Sequence, residues 1–128
     1  DPQTDSIRFA NAGHNPPMFW DERAGSARFI EDHGLAIGMT EGPRFIGGMK
    51  DVEVKLRKGD MVCFYTDGVV EAMSQEGNEF GTDPLVIAAQ SIRQDSAERM
   101  VQRIVAAIER HAEGAEQSDD ITLYVMKR

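Results

Sequence analysis

The sequence feature that most constrains this chain is an apolar run from Met61 to Tyr65 that stops at Thr66, Asp67 and Gly68. The run is too short for a helix and is rich in residues that favour strands. Asp67 cannot continue such a strand, and Gly68 lets the backbone turn and a ligand approach. A carboxylate in this position suits Mg²⁺ or Mn²⁺. The alternative is an Asp-Gly turn in which Asp67 caps a short helix over residues 69–73.

A second acidic motif, Asp119 and Asp120, stands just before an apolar pattern at residues 121–126. Neighbouring residues of an extended strand point to opposite faces, so at most one of the two can face the same site as Asp67. The alternative is an acidic loop that keeps a strand end soluble. Two acidic strand ends in one chain favour a shared cation site.

A loop rich in small residues and turn formers, residues 10–17, follows the first predicted strand and contains Gly13, His14 and Asn15. Gly13 lets the backbone come close to a ligand, and two prolines stiffen the exit of the loop. We expect His14 to orient a water or a phosphate, or to donate a proton. The alternative is a histidine with a purely structural role.

The composition excludes several classes of protein. The 128 residues suffice for one domain or part of one, and no apolar run approaches the roughly 20 residues that cross a bilayer. The formal net charge is −8 and the basic residues are scattered, which argues against a nucleic-acid partner. We therefore expect neither a membrane segment nor nucleic-acid binding in this stretch.

Cys63 is the only cysteine, so the chain can form no internal disulfide, and this favours a reducing, cytoplasmic location. Because it lies inside a predicted strand, we expect Cys63 to be a core residue rather than a nucleophile. The sequence begins with Asp1 rather than Met and shows neither a signal nor a transit peptide. We expect it to be part of a longer protein.

The pattern of apolar residues changes from strands in the first half to helices in the second. Predicted strands cover residues 6–10, 17–21, 28–31, 51–56, 61–66 and 121–126. Residues 57–60 are predicted to form a hairpin turn, and residues 34–48 an irregular loop with a short strand at 35–37. Helices are predicted at residues 85–91 and from a cap at Asp95 or Ser96 to near Gly114. The apolar stripe of the longer helix is expected to face the core.

Three stretches together resemble the metal-dependent (PPM-type, protein phosphatase 2C-like) protein serine/threonine phosphatases, in their bacterial SpoIIE/RsbU-like branch. They are residues 10–17 (ANAGHNPP), 65–72 (YTDGVVEA) and 118–122 (SDDIT). They occur in the order of the family, and residues 76–81 (EGNEFG) also match it. The resemblance covers essentially the whole chain but only the C-terminal half of the family's domain.

The resemblance implies an α+β fold: part of a four-layer α-β-β-α sandwich with two antiparallel sheets, whose N-terminal portion is missing. Residues 1–128 would then be the C-terminal part of a single phosphatase domain. The family uses two Mn²⁺ or Mg²⁺ ions, held by aspartates, to activate the water that hydrolyses phosphoserine or phosphothreonine. The implied substrate is a phosphorylated regulatory protein such as an anti-sigma-factor antagonist.

The resemblance also assigns residues. Asp67 matches the metal-binding aspartate of the family's Thr-Asp-Gly motif, and Asp119 matches the ligand of its Asp-Asp or Asp-Asn motif, with Asp120 as the alternative. His14 is a candidate acid, or a residue that acts behind the ligands. The residues expected near the site are Gly13, Asn15 and Gly68.

One family motif is absent from residues 1–128: an aspartate followed closely by Gly-His-Gly or Gly-Gly. Two carboxylates leave most of an octahedral shell to water, so we expect this stretch alone to bind metal weakly and to be inactive. Sheets that lack their first strands expose edges, so a homodimer or a domain swap is expected. The alternative function is a degenerate or truncated phosphatase half that serves as a protein-interaction module.

Overall fold

The chain folds into two antiparallel sheets, with helices packed on one of them. The structure, a computed structural model, describes residues 1, 3–31, 34–40, 42–117 and 119–128. The strands are β1 (Ser6–Ala10), β2 (Met18–Asp21), β3 (Ser26–Phe29), β4 (Asp51–Lys55), β5 (Met61–Tyr65) and β6 (Leu123–Lys127). The helices are α1 (Pro43–Gly48), α2 (Asp67–Val70), α3 (Thr82–Ser91) and α4 (Ala97–His111). The α+β class with two antiparallel sheets is confirmed.

The larger sheet has the strand order β3-β2-β5-β6, with β5 inside it. Met61, Cys63 and Tyr65 of β5 face the helices, whereas Val62 and Phe64 face the second sheet. This alternation explains why the strand is apolar throughout, since both of its faces are covered.

The second sheet pairs β1 with β4, in a register that sets Ser6 opposite Lys55 and Ala10 opposite Asp51. The core between the two sheets is built on Phe19, Ile30, Val54, Leu56 and Val62. In β4, Val54 is buried and its neighbours Glu53 and Lys55 are exposed. The strict alternation of polar and apolar residues in this strand therefore marks one solvated face.

Helices α3 and α4 cover the other face of the larger sheet. Met100, Ile104 and Ile108 of α4 are completely buried, so its apolar stripe is core, as predicted. Ser96 rather than Asp95 caps the helix, because its side chain accepts a hydrogen bond from the Arg99 N–H at 3.3 Å. Within the described ranges, no helix has the length and apolar character needed to cross a membrane.

The predicted hairpin at residues 57–60 is wrong, because β4 and β5 belong to different sheets. The turn itself exists, and it carries the chain from one sheet to the other. Asp60 is only 3% exposed, and its carboxylate accepts hydrogen bonds from the backbone N–H of Arg57 at 2.8 Å and of Glu22 at 3.1 Å. Turn residues indicate that the chain reverses direction, but they do not indicate which sheet the next strand joins.

Other element bounds also differ from the predictions. Residues 43–48, predicted as loop, form α1, which starts at Pro43, a residue whose fixed φ suits the first helical position. The sequence did not predict this helix because it contains two glycines, which disfavour helices. Residues 35–37, predicted as a short strand, form no strand. Strand β3 begins and ends two residues earlier than predicted, α3 begins three residues earlier, and β6 starts at Leu123 rather than at residue 121.

Replacement of Asp60 tests its role at the crossing between the sheets. We expect Asp60→Ala to lower the free energy of unfolding by about 1–3 kcal/mol, because two part-buried backbone N–H groups lose their acceptor. Urea denaturation measures the change. Asp51→Ala, at an exposed strand position, is the control and should stay within about 0.5 kcal/mol of the wild type. Equal losses in the two variants would contradict the role given to Asp60.

Candidate metal centre

The first acidic motif lies where β5 ends and α2 begins. Thr66 is the N-cap residue in extended conformation, and Asp67 opens the single turn of α2. The Asp67 carboxylate accepts a hydrogen bond from the Gly68 N–H at 3.0 Å, and its carbonyl accepts one from the Glu71 N–H at 2.8 Å. A short helix therefore follows the strand, as the turn alternative proposed, but it covers residues 67–70 and Thr66 holds the cap position. The Asp67 side chain is exposed, so a ligand can reach it.

The second acidic motif lies just before β6 rather than at its first residue. The Asp119 carboxylate accepts a hydrogen bond from the Asp120 N–H at 2.7 Å, and the Gln117 side chain donates to the Asp119 carbonyl at 2.8 Å. The prediction that strand geometry turns the two carboxylates to opposite faces does not apply, because neither residue is in a strand. Both side chains are exposed. Ser118, the first residue of the motif, lies outside the described residues.

Thr66 joins the two motifs. Its hydroxyl donates to the Asp120 carbonyl at 2.9 Å and accepts from the Thr122 N–H at 2.9 Å. Its backbone N–H donates to the Thr122 carbonyl at 3.1 Å. These bonds extend the pairing of β5 with β6 beyond Tyr65 and Leu123. Sequence reasoning missed this role of Thr66. A threonine before Asp67 does not indicate that its hydroxyl bonds to residues more than 50 positions further along the chain.

Gly68 brings the motifs into direct contact. A Cβ at this position would lie 2.5 Å from the Asp120 carbonyl oxygen and 3.2 Å from that of Asp119. Only a residue without a side chain lets the two backbone segments approach this closely. The structure therefore places the acidic ends of β5 and β6 side by side, which is what a shared site requires.

The loop with His14 is anchored through Asn11, which is buried. The Asn11 carboxamide accepts from the His14 N–H at 2.7 Å and donates to the His14 carbonyl at 2.9 Å. A Cβ on Gly13 would lie 2.5 Å from the Ala36 Cβ, and one on Gly34 only 1.4 Å from the Asn11 carbonyl oxygen. The loop is therefore packed against residues 34–36, with His14 exposed and Asn15 half-buried beside it.

The imidazole of His14 is not joined to the acidic motifs. Of the hydrogen bonds and ion pairs between described residues, none links it to Asp67, Asp119 or Asp120. The structure thus brings the two acidic motifs together, whereas the catalytic role of His14 stays a prediction.

The donor set of the acidic motifs suits a hard cation. Asp67, Asp119 and Asp120 supply exposed carboxylate oxygens, the ligands that Mg²⁺ and Mn²⁺ prefer. Within residues 1, 3–31, 34–40, 42–117 and 119–128, however, no group of three His, Cys, Asp or Glu side chains is arranged to hold a metal ion. The residues present therefore fit part of a metal site and not a complete one.

Cys63 is not available as a nucleophile. Burial raises the pKa of its thiol to about 12, so it stays protonated at neutral pH. Burial also raises the pKa of Tyr65 to about 12, with the nearby Cys63 adding to the effect. Both side chains belong to the core under the site, as predicted for Cys63.

The two antiparallel sheets with their helical layer, and the acidic pair of motifs at the ends of β5 and β6, define part of a PP2C-type domain. The whole chain, residues 1–128, matches the family model described as stage II sporulation protein E (SpoIIE). The chain belongs to the SpoIIE family.

Individual relatives agree with this assignment. The chain is 27% identical over 120 residues to "Phosphoserine phosphatase RsbU" of Bacillus subtilis (strain 168), an alignment that covers 94% of this chain and 34% of RsbU. It superimposes on the RsbU and RsbW domains of Rv1364c from Mycobacterium tuberculosis with a TM-score of 0.71 and 27% identity, covering 100% of this chain and 34% of that one.

A further solved structure shows the same fold. The SiaA-PP2C domain of Pseudomonas aeruginosa gives a TM-score of 0.81 at 20% identity, covering 100% of this chain and 48% of that one. The chain thus spans about half of that PP2C domain and about a third of RsbU.

Replacement of Gly68 tests the contact between the motifs. We expect Gly68→Ala to lower the free energy of unfolding by about 1–3 kcal/mol, because the new methyl group forces the backbone of Asp119 and Asp120 away. Thermal or urea denaturation measures this loss. The matched control is Gly47→Ala in α1, where nothing lies within 4 Å and a change of about +0.5 kcal/mol is expected. If Gly68→Ala left the free energy of unfolding unchanged, the close contact between the two motifs would be contradicted.

Proposed function

We propose that this chain is the C-terminal part of a metal-dependent phosphatase domain that hydrolyses phosphoserine or phosphothreonine on a regulatory protein, of the anti-sigma-factor-antagonist type. Membership of the SpoIIE family and the similarity to RsbU, whose name describes a phosphoserine phosphatase, support the reaction class. The observation that carries the proposal is the junction of the two acidic motifs through Thr66 and Gly68.

In this proposal Asp67 and Asp119 are the ligands that this part of the domain contributes to Mn²⁺ or Mg²⁺, and Asp120 is the alternative to Asp119. When bound, the ions supply Lewis-acid activation of a water and neutralise charge on the phosphoryl group. Further ligands come from residues outside this stretch. The exposure of the three carboxylates leaves them open to those residues and to a phosphoprotein.

Thr66 and Gly68 act as positioning residues. The Thr66 hydroxyl fixes the Asp120 carbonyl, and the bare backbone of Gly68 sets how closely the second motif approaches Asp67. Because these contacts fix the backbones of both motifs beforehand, less ordering remains to be done when a cation binds.

The loop of Gly13, His14 and Asn15 has a supporting role in the proposal. Asn11 binds the backbone of His14 through two hydrogen bonds, and the exposed His14 side chain can face solvent or substrate. An imidazole can donate a proton to the departing serine or threonine oxygen, or orient the phosphate.

Replacing the proposed ligands tests the function. In the full-length gene product with Mn²⁺, we expect Asp67→Asn and Asp119→Asn each to lower kcat on para-nitrophenyl phosphate by at least about 100-fold, because even residues behind the ligands cost 10–100-fold. Phosphate release measures the rate, and Asp51→Asn, on an exposed strand end, is the control that should keep full activity.

An unchanged rate in Asp67→Asn would refute the ligand role. A wild-type protein without any Mn²⁺-dependent hydrolysis would instead favour the alternative, in which the chain belongs to a degenerate domain that serves as an interaction module.

A further inference from the structure

A groove of about 280 Å³ opens beside the two acidic motifs, between the end of α4 and the residues that follow Asp67. Gly68 and Asp119 form part of its wall, so it adjoins the proposed metal ligands directly. Its volume is just below the range of about 300–1,000 Å³ of typical small-molecule sites. The groove therefore suits one or two side chains of a larger ligand better than a complete cofactor.

The floor of the groove is apolar. Ile108 of α4 is completely buried there, Ala72 is 8% exposed, and Met73 presents a 38% exposed side chain. Ala112 and Ile121 complete this surface and are half-buried. A long aliphatic side chain would cover these atoms and remove them from water.

The rim of the groove is acidic. Glu109, Glu113 and Glu116 line it and are exposed. No hydrogen bond or salt bridge connects their carboxylates to any residue the structure describes. Arg110 does not line the groove and donates instead to the Ala106 carbonyl at 3.1 Å. This uncompensated negative charge attracts a cation and repels an acidic ligand.

An apolar floor with an acidic rim matches the two halves of a lysine or arginine side chain, whose aliphatic stem packs on apolar surface while its charged end stays near water. A divalent cation is a poorer match for the floor of the groove, because hard cations need oxygen ligands and the floor is apolar. The position beside Gly68 and Asp119 places such a side chain next to the proposed metal ligands.

We propose that this groove binds a lysine or arginine side chain that flanks the phosphorylated residue of the substrate protein. The inference rests on the proposed phosphatase function and adds a sequence preference to it. The rim glutamates select the substrate by charge, and Asp119 connects the groove to the reaction site.

The test compares two short phosphoserine peptides that differ only in having lysines or glutamates beside the phosphoserine. With the full-length protein and Mn²⁺, we expect kcat/KM to favour the lysine peptide by about tenfold, since exposed ion pairs each change binding by about two- to fivefold. Glu109→Gln with Glu113→Gln should reduce this preference to less than about twofold through KM. Glu98→Gln, at the other end of α4, is the matched control and should keep the preference.

Fluorescence anisotropy of the same peptides, labelled, measures binding without requiring turnover. A wild type that binds both peptides equally or prefers glutamate would overturn the inference, as would a preference that survives in the Glu109 and Glu113 variants. Hydrolysis of para-nitrophenyl phosphate and its loss in Asp67→Asn report the phosphatase function separately. If that hydrolysis failed while the protein still bound the lysine peptide more tightly, the phosphatase function would be refuted and the role of the groove in binding basic side chains would stand.

Discussion

The pairing of β5 with β6, continued by the Thr66 hydroxyl, is the interaction on which the site depends. Five residue pairs in register, from Met61 opposite Lys127 to Tyr65 opposite Leu123, bring the end of one strand to the start of the other. Thr66 then bonds to Asp120 and Thr122, and Gly68 allows the backbones to meet. Without this pairing, two short acidic motifs far apart in sequence would have no common position.

The core supports this junction from both sides of β5. Strand β5 is covered by α3 and α4 on one face and by the second sheet on the other, so its end cannot shift without disturbing both layers. The acidic side chains extend from this packed base into solvent, where burial does not penalise their charge. Such an arrangement leaves the carboxylates open to cations while the hydrogen bonds of Thr66 hold their backbones together.

Much of this could be predicted from the sequence, since β5 is a continuous apolar run that ends before Asp67 and α4 carries a clear helical stripe of apolar residues. The placement of β4 and β5 in different sheets could not, because Gly59 and Asp60 specify a turn and not the partner of the next strand. The role of Thr66 was equally hidden, since its hydrogen bonds are long-range. The two motifs were correctly expected to meet, whereas the ligand roles of Asp67 and Asp119 and the role of His14 stay predictions.

The central claim is that both acidic motifs hold one cation, and paramagnetic broadening by Mn²⁺ tests it most directly. Mn²⁺ is titrated into the full-length protein labelled with nitrogen-15. Because broadening falls steeply with distance from the ion, one ion held by both motifs should broaden the amide signals of Gly68 and Asp120 together, with the same apparent affinity. Asp67→Asn should weaken the effect at both positions. Broadening at only one of the two motifs, or with two separate affinities, would contradict a shared site.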